Sequence, residues 1–269
     1  MKNILGLCAS PRKLGNSEIA IKEICHRQSE ETELRLLRLS DLKIQNCHAC
    51  YKCLFDDKCV LDDDIQEILK GLAWADGVVV ASPTYFLSVH SNIKKVLDRG
   101  LSFYSIASEI WHKPAVGLAI AGIEGKEGSS LLGVETFLKS ILADIKYSDV
   151  IYAAFPGEII RNENNDIKLQ EAADSLFGKR IAKSGSCCPL CGGDSFRFLG
   201  GNRVKCLLCS NSGEYSIGEN GIVFDIHKDE HELFLSEQVA EHHKEWLKEM
   251  KNRFFAEIPE LKKIRDRYK

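Results

Sequence analysis

Residues 3–17 read NILGLCASPRKLGNS, and the turn SPRKLGNS at 10–17 decides the fold. The apolar run before it is too short for the hydrophobic region of a signal peptide, so it is read as a first strand. SEIAIKEICHRQ, from residue 17, spaces its apolar residues as a helix does. A turn between a buried strand and a helix brings backbone N–H groups and the positive end of the helix dipole to one point, where an anion can sit. Ser10, Asn16 and Ser17 can donate side-chain hydrogen bonds, Arg12 adds a positive charge, and Gly15 permits a turn that a side chain would hinder. The pattern is neither the triphosphatase G-x-x-x-x-G-K-[ST] nor the dinucleotide G-x-G-x-x-G. An ordinary βα turn capped by serine is the alternative.

The same alternation continues downstream. ELRLLRL (33–39), GVVVASPTY (77–85), AVGLAIAG (115–122) and DVIYAAF (149–155) read as strands. DDDIQEILKGLAWA (62–75), NIKKVLDRG (92–100), SSLLGVETFLKSILADI (129–145) and KLQEAADSLFGKRIAK (168–183) read as helices, the first with acidic residues at its positive end. Five apolar strands alternating with helices predict an α/β fold, a doubly wound parallel sheet covered on both faces. Such sheets bind ligands beyond the carboxyl ends of their strands, where the loops are SPRKLGNS, SPTYFLS (82–88) and AGIEGKEGSS (121–130).

Composition narrows the rest. The chain has 269 residues and a net charge of −3, which gives no bulk attraction to nucleic acid or membrane surface. No apolar run approaches a bilayer span, so no membrane partner is expected, and the location is expected to be cytoplasmic. Eight of the eleven cysteines fall in two groups, Cys47 to Cys59 and Cys188 to Cys209; Cys8, Cys25 and Cys187 are left as buried or incidental thiols.

CHACYKCLFDDKC (47–59) spaces Cys47, Cys50, Cys53 and Cys59 as C-x2-C-x2-C-x5-C. A curling loop can turn three such sulfurs inward and close with the fourth, as a cubane [4Fe–4S] cluster requires. A structural zinc, redox-active dithiols and an empty loop are the other readings; His48 is read as solvated. Cys188-x2-Cys191-x14-Cys206-x2-Cys209 resembles a zinc ribbon, with FRFL and RVKC as a hairpin around GGN. Zinc is expected, with rubredoxin-like iron as the alternative, because tetrahedral thiolates accept either metal. Cys187 could replace Cys188 as a ligand.

Three motifs in order, strand–SPRKLGNS–helix, SPTY at 82–85 and NIKKVLDR at 92–99 with Lys94, Asp98 and Arg99, resemble the flavodoxin-like NAD(P)H-dependent FMN reductases. The cysteine loop before the third strand resembles that of the iron–sulfur flavoproteins within that group. The resemblance spans residues 1 to about 180. It implies FMN, its phosphate held by Ser10, Arg12, Asn16 and Ser17, and its ring along Pro83, Thr84, Tyr85 and Phe86. Ala121 and Gly122 open a third flavin loop that matches only loosely; Tyr85 or Phe86 could instead pack against a partner subunit. It further implies a [4Fe–4S] cluster on the first cysteine group, NAD(P)H or ferredoxin as electron donor, and a homo-oligomer, dimer or tetramer. Flavin and cluster chemistry needs no side-chain acid or base, so no catalytic residue is assigned.

The expected organisation is a flavodoxin-like FMN-binding domain at 1–183, a zinc-ribbon-like module at 184–228, and a C-terminal helix and tail at 229–269. HELFLSEQVAEHHKEWLKEMKNRFF puts Leu235, Val239, Trp246, Met250 and Phe254 on one helical stripe; His227 and His231 are read as exposed. The competing functions are a flavin or quinone reductase without a cluster, and a redox-sensing binding protein that acts through the ribbon. The ribbon's few basic residues, Arg197, Arg203 and Lys205, are thin support for a nucleic-acid partner.

Overall fold

The structure is a computed structural model and describes every residue except 220 and 234. Strand β1 (Lys2–Cys8) is buried from Ile4 onward, and its alternate residues feed two cores. Leu5 and Leu7 pack with Val78 and Val80 on one face, while Ile4 and Cys8 pack with Val79 and Ala81 on the other. This two-sided burial explains why the strands read as apolar runs rather than alternating ones.

Helix α1 (Asn16–His26) follows β1, and β2 (Thr32–Arg38) lies parallel beside it. The short α2 (Lys52–Phe55) sits inside the four-cysteine loop, and α3 (Ile65–Trp74) returns the chain to β3 (Gly77–Tyr85). A tight hairpin adds the two-residue β4 (Ser88–Val89) antiparallel to the end of β3. Then come α4 (Ser91–Leu97), α5 (Ala107–Ile110), β5 (Pro114–Ala121), α6 (Ser130–Ser140), β6 (Asp144–Tyr152) and α7 (Glu163–Leu176).

The parallel strands order as β2-β1-β3-β5-β6, with β4 off this path. Helices α1 and α7 cover one face, and α3, α4, α5 and α6 the other. This is the doubly wound order whose switch point lies between the first and third strands. The helices sit close on the sheet: a Cβ added at Gly6 would stand 2.4 Å from Ile21 Cγ2. Gly6→Ala would therefore force repacking at a cost of about 1–3 kcal/mol.

Several boundaries differ from the sequence reading. Helix α6 ends at Ser140, and Ile141–Ala143 form a buried turn with Leu142 left-handed at φ 60°. Their apolar side chains prolong the helical pattern although the backbone has left the helix. Strand β6 accordingly starts at Asp144, five residues early; Lys146 and Ser148 on this edge strand hide its period. Helix α7 begins at Glu163 because Asn162 Oδ1 accepts from the N–H groups of Asn164 and Asn165.

The expected hairpin forms as β7 (Phe196–Gly200) and β8 (Arg203–Cys206). Unanticipated β9 (Ser212–Gly218) and β10 (Gly221–His227) extend it to a four-stranded antiparallel sheet. The final helix α8 (Glu237–Arg265) starts after Leu235, where Ser236 Oγ accepts from Val239 N, and continues through Pro259 into the expected tail. Position 234, inside the expected helix, lies outside the described residues. Among the described residues no helix is long and apolar enough to cross a membrane.

Candidate functional site

The phosphate loop is built by packing rather than by a side-chain cap. Gly15 is the N-cap residue of α1, at φ −75° and ψ 168°, and no side chain caps the helix. The left-handed residue of the turn is Leu14, at φ 53°. Gly15 is thus required for space: a Cβ there would lie 3.1 Å from Arg12 O and 3.4 Å from Ser10 Oγ. Without a cap, the first-turn N–H groups of α1 have no intrahelical acceptor and face the loop.

Beneath the loop, Glu18 is buried and receives three donors. Leu14 N donates to Oε2 at 2.9 Å, Lys22 Nζ to Oε1 at 2.7 Å, and Arg38 Nη1 to Oε2. Burial pushes this carboxyl up, but the Lys22 ammonium, the Leu14 N–H and the Arg38 guanidinium together hold it below the usual carboxylate range. From the end of β2, Arg38 also donates to Pro11 O at 3.2 Å and Arg12 O at 3.4 Å. A residue distant in sequence therefore fixes the shape of the loop, which no local spacing announces.

Ser10, Arg12, Asn16, Ser17, Pro83, Thr84, Tyr85 and Gly122 line one cavity at the carboxyl edge of the sheet, together with Ile120, Ala153 and Ala154. The last three were not anticipated; they end β5 and follow β6, where a ligand-binding edge would have pointed to them. Ala121 is buried at the end of β5, and Phe86 projects fully into solvent. Phe86 and Leu87 are both left-handed, at φ 47° and 64°, and make the two-residue turn between β3 and β4. Asn16 spends its amide on the cavity wall: Nδ2 donates to Ala153 O and Phe155 O, and Oδ1 accepts from Gly157 N. Thr84 Oγ1 is buried without a partner. An orphaned hydroxyl beside a cavity wants a polar ligand, so these residues fit a group with an anionic tail and a hydrogen-bonding ring.

The four-cysteine loop is closed at its base. Lys43 N donates to Asp64 Oδ2 at 2.7 Å, Gln45 N to Asp63 Oδ2 at 2.8 Å, and Gln45 Nε2 to Asp62 O at 2.9 Å. The acidic run before α3 thus ties the loop shut instead of only meeting a helix dipole. Within the loop Ala49, Tyr51 and Asp57 are left-handed, with φ between 48° and 65°, although none is glycine. Each such residue costs roughly 1–2 kcal/mol, so the tight curl must be held by the surroundings. Ala49 N donates to Cys47 Sγ at 3.4 Å, so one backbone N–H of the curl is already turned toward a sulfur. Burial and the neighbouring Cys59, Cys50 and Cys47 push the Cys53 thiol up to about 11. His48 is exposed.

Helix α4 joins the two places. It begins at the β3–β4 hairpin, where His90 accepts from Asn92 N, and ends beside the cysteine loop. Its seven residues span roughly 10 Å.

Cys188, Cys191, Cys206 and Cys209 are all buried, with their sulfurs within 4.8 Å of one another. Cys188 Sγ lies 3.8 Å from Cys209 Sγ, and Cys191 Sγ 3.6 Å from Cys206 Sγ. A tetrahedron with metal–sulfur bonds of ~2.3 Å has edges of roughly 3.8 Å, so the quartet fits a single four-coordinate metal ion. Gly193 N donates to Cys191 Sγ in the first knuckle, and Ser210 adopts the left-handed turn of the second at φ 62°. Cys187 stays outside the quartet, its thiol 3.7 Å from Gly185 O. Lys183 bridges α6 and this module, through Glu135 at 2.5 Å and Asp194 at 2.9 Å.

The model of the NADPH-dependent FMN reductase family matches residues 2–133. An iron–sulfur flavoprotein of Methanocaldococcus jannaschii is 27% identical over 192 residues, 67% of this chain and 95% of its own. Another, from Archaeoglobus fulgidus, is 29% identical over 193 residues, 67% of this chain and 79% of its own. Among solved structures, a flavone reductase superposes with a TM-score of 0.75 at 16% identity, covering 99% of this chain and 96% of its own, a likeness of fold. Sheet order, anion loop and cavity define a flavodoxin-like, flavin-dependent oxidoreductase, for which FMN is the cofactor. The likeness to the NADPH-dependent FMN reductases is carried by residues 2–133.

Proposed function

We propose that the chain is an electron-transfer iron–sulfur flavoprotein that passes electrons between NAD(P)H or ferredoxin and a separate acceptor. Residues 1–183 form the FMN-binding domain, 184–228 a zinc-ribbon-like module, and 229–269 the helix and tail. Ser10, Arg12, Ser17 and the backbone of α1 hold the phosphate, with Asn16 fixing the wall beside it. Pro83, Thr84, Tyr85 and Gly122 border the ring, and Thr84 Oγ1 supplies a hydrogen bond. Cys47, Cys50, Cys53 and Cys59 hold a [4Fe–4S] cluster, and Cys188, Cys191, Cys206 and Cys209 hold zinc.

When bound, FMN exchanges electrons in pairs or singly and a cubane exchanges one at a time, so the pair converts between two kinds of carrier. The chain's part is to fix the distance between them, to shape each pocket and to exclude water. One observation carries this reading: the short helix α4 starts at the hairpin that forms the cavity wall, and Arg99, just beyond its other end, donates to Cys59 Sγ of the curled, glycine-free cysteine loop. A reductase with an empty loop would have no use for three strained residues there. The exposed Tyr85, Phe86 and Leu87 beside the cavity suit a partner subunit of the same chain. Anaerobic purification followed by flavin, iron, acid-labile sulfide and zinc analysis tests the assignment. All four are expected, and iron without sulfide would overturn it.

A further inference from the structure

Arg99 follows α4 and carries the largest fully buried side chain among the described residues. Its guanidinium and the carboxylate of Asp63 are each 1% exposed. Nη1 donates to Asp63 Oδ2 at 2.5 Å and to Gln45 O at 3.0 Å. Nη2 donates to Asp63 Oδ1 at 3.2 Å and, at 3.1 Å, to Cys59 Sγ. Ser102 N and Oγ hold the Arg99 carbonyl at 2.9 and 2.6 Å. Asp63 matches the charge of Arg99, so the bond to sulfur is not needed for neutrality. It is a directed donor aimed at one thiol, from a side chain closed to solvent.

We propose that Arg99 is a positioning residue for the four-cysteine loop, and that its hydrogen bond to Cys59 Sγ raises the reduction potential of the cluster held there. The inference rests on the cluster reading of the preceding subsection. Reduction adds one electron and breaks no bond, and the negative charge it adds is shared by the thiolate sulfurs. A buried donor to one of those sulfurs therefore stabilises the reduced form more than the oxidised form. Only a planar fork can serve carboxylate, carbonyl and sulfur together, so lysine cannot replace it. Because Arg99 stands just beyond the helix that begins at the flavin hairpin, it also couples the loop to the flavin side of the domain.

The test uses the full chain, reconstituted anaerobically with iron and sulfide and analysed for both before any comparison. Mediated redox titrations followed by EPR then compare the wild type with Arg99→Lys. The variant is expected to keep its FMN and the flavin potential. At a fixed potential its ratio of reduced to oxidised cluster is expected to fall about tenfold, a shift of about 59 mV for a one-electron couple. An unchanged cluster midpoint in an iron-replete variant overturns the proposal. Should the variant lose its iron, pulsed EPR of the reduced wild-type protein labelled with 15N-arginine decides. A nitrogen coupling supports Arg99 at the sulfur, and its absence overturns the proposal. A wild-type protein that takes up no iron and sulfide sinks the cluster reading, and this one with it, and is told apart by the metal analysis alone.

Discussion

The ammonium of Lys251, on α8, lies 5.2 Å from the ring centroid of Tyr51, which stands between Cys50 and Cys53. Lys244, two helical turns earlier, lies 3.8 Å from Asp57 of the same loop. The C-terminal helix therefore lies along the outside of the four-cysteine loop. Ala240 of this helix is buried against the main core, while Trp246, Met250 and Phe254 of its apolar stripe remain partly exposed.

This contact gives the first expected outcome. Lys251→Ala should cost about 0.5–1 kcal/mol in stability. A chain ending at Ser236 should keep FMN but release iron to a chelator several-fold faster. Stopped-flow chelation checks both proteins, and equal rates would mean that α8 does not shield the loop.

Arg38 shapes the phosphate loop without facing the cavity. Arg38→Ala frees Pro11 O and Arg12 O and leaves the buried Glu18 carboxylate with Lys22 and Leu14 N only. Charge-assisted hydrogen bonds of this kind are worth about 1.5–3 kcal/mol, so FMN affinity should fall roughly ten- to a hundredfold. Flavin fluorescence quenching on titration into apoprotein measures it. Unaltered affinity would reduce Arg38 to a surface ion pair.

Stability should depend on acid in a defined direction. Glu18 and Asp144 both have folded pKa values below their ordinary 4.5 and 3.8; burial opposes the shift, and Lys22 and Arg38, or Lys146 and Arg180, outweigh it. For a depressed carboxyl the stabilisation is complete above the unfolded value and fades as pH falls through the folded one. The loss should therefore begin near pH 4.5 and steepen below it. Urea unfolding of Glu18→Gln across that range should show a flatter acid limb than the wild type.

Removing the metal from the cysteine quartet should unfold the ribbon locally. Among the described residues, its fully buried core beside the four cysteines is Val204, Leu208 and Ile226, with Phe196, Tyr215 and Phe224 only partly buried against it, a small apolar core for a module to stand on without the metal. After strong chelation, limited proteolysis should cut within 184–228 while the FMN-binding domain stays intact. Resistance to cleavage would mean that the module folds without metal.

The sheet was legible because its strands are buried on two faces: NILGLCA, GVVVASPTY and AVGLAIAG can hardly be anything else. The Cys188–Cys209 quartet was legible because paired ligands close in sequence must be close in space. The junction of α6 and β6 was not, since Ile141 and Leu142 continue a helical apolar pattern from within a turn. Strands β9 and β10 were hidden by a half-exposed sheet whose Ile217 and Val223 face solvent. Arg38 and Arg99 escaped notice as working residues for another reason. Their partners, Glu18 and Cys59, lie 20 and 40 positions away, and only the folded chain makes them neighbours.

The central claim is that one chain seats a flavin at the sheet's edge and an iron–sulfur cluster on the adjoining cysteine loop. A stoichiometric anaerobic reduction, followed by visible absorbance, tests it most directly. Uptake of about three electron equivalents per chain is expected, two for the flavin and one for the cluster, with bleaching of a broad band near ~400 nm. Uptake of only two, with flavin bands alone changing, would contradict it.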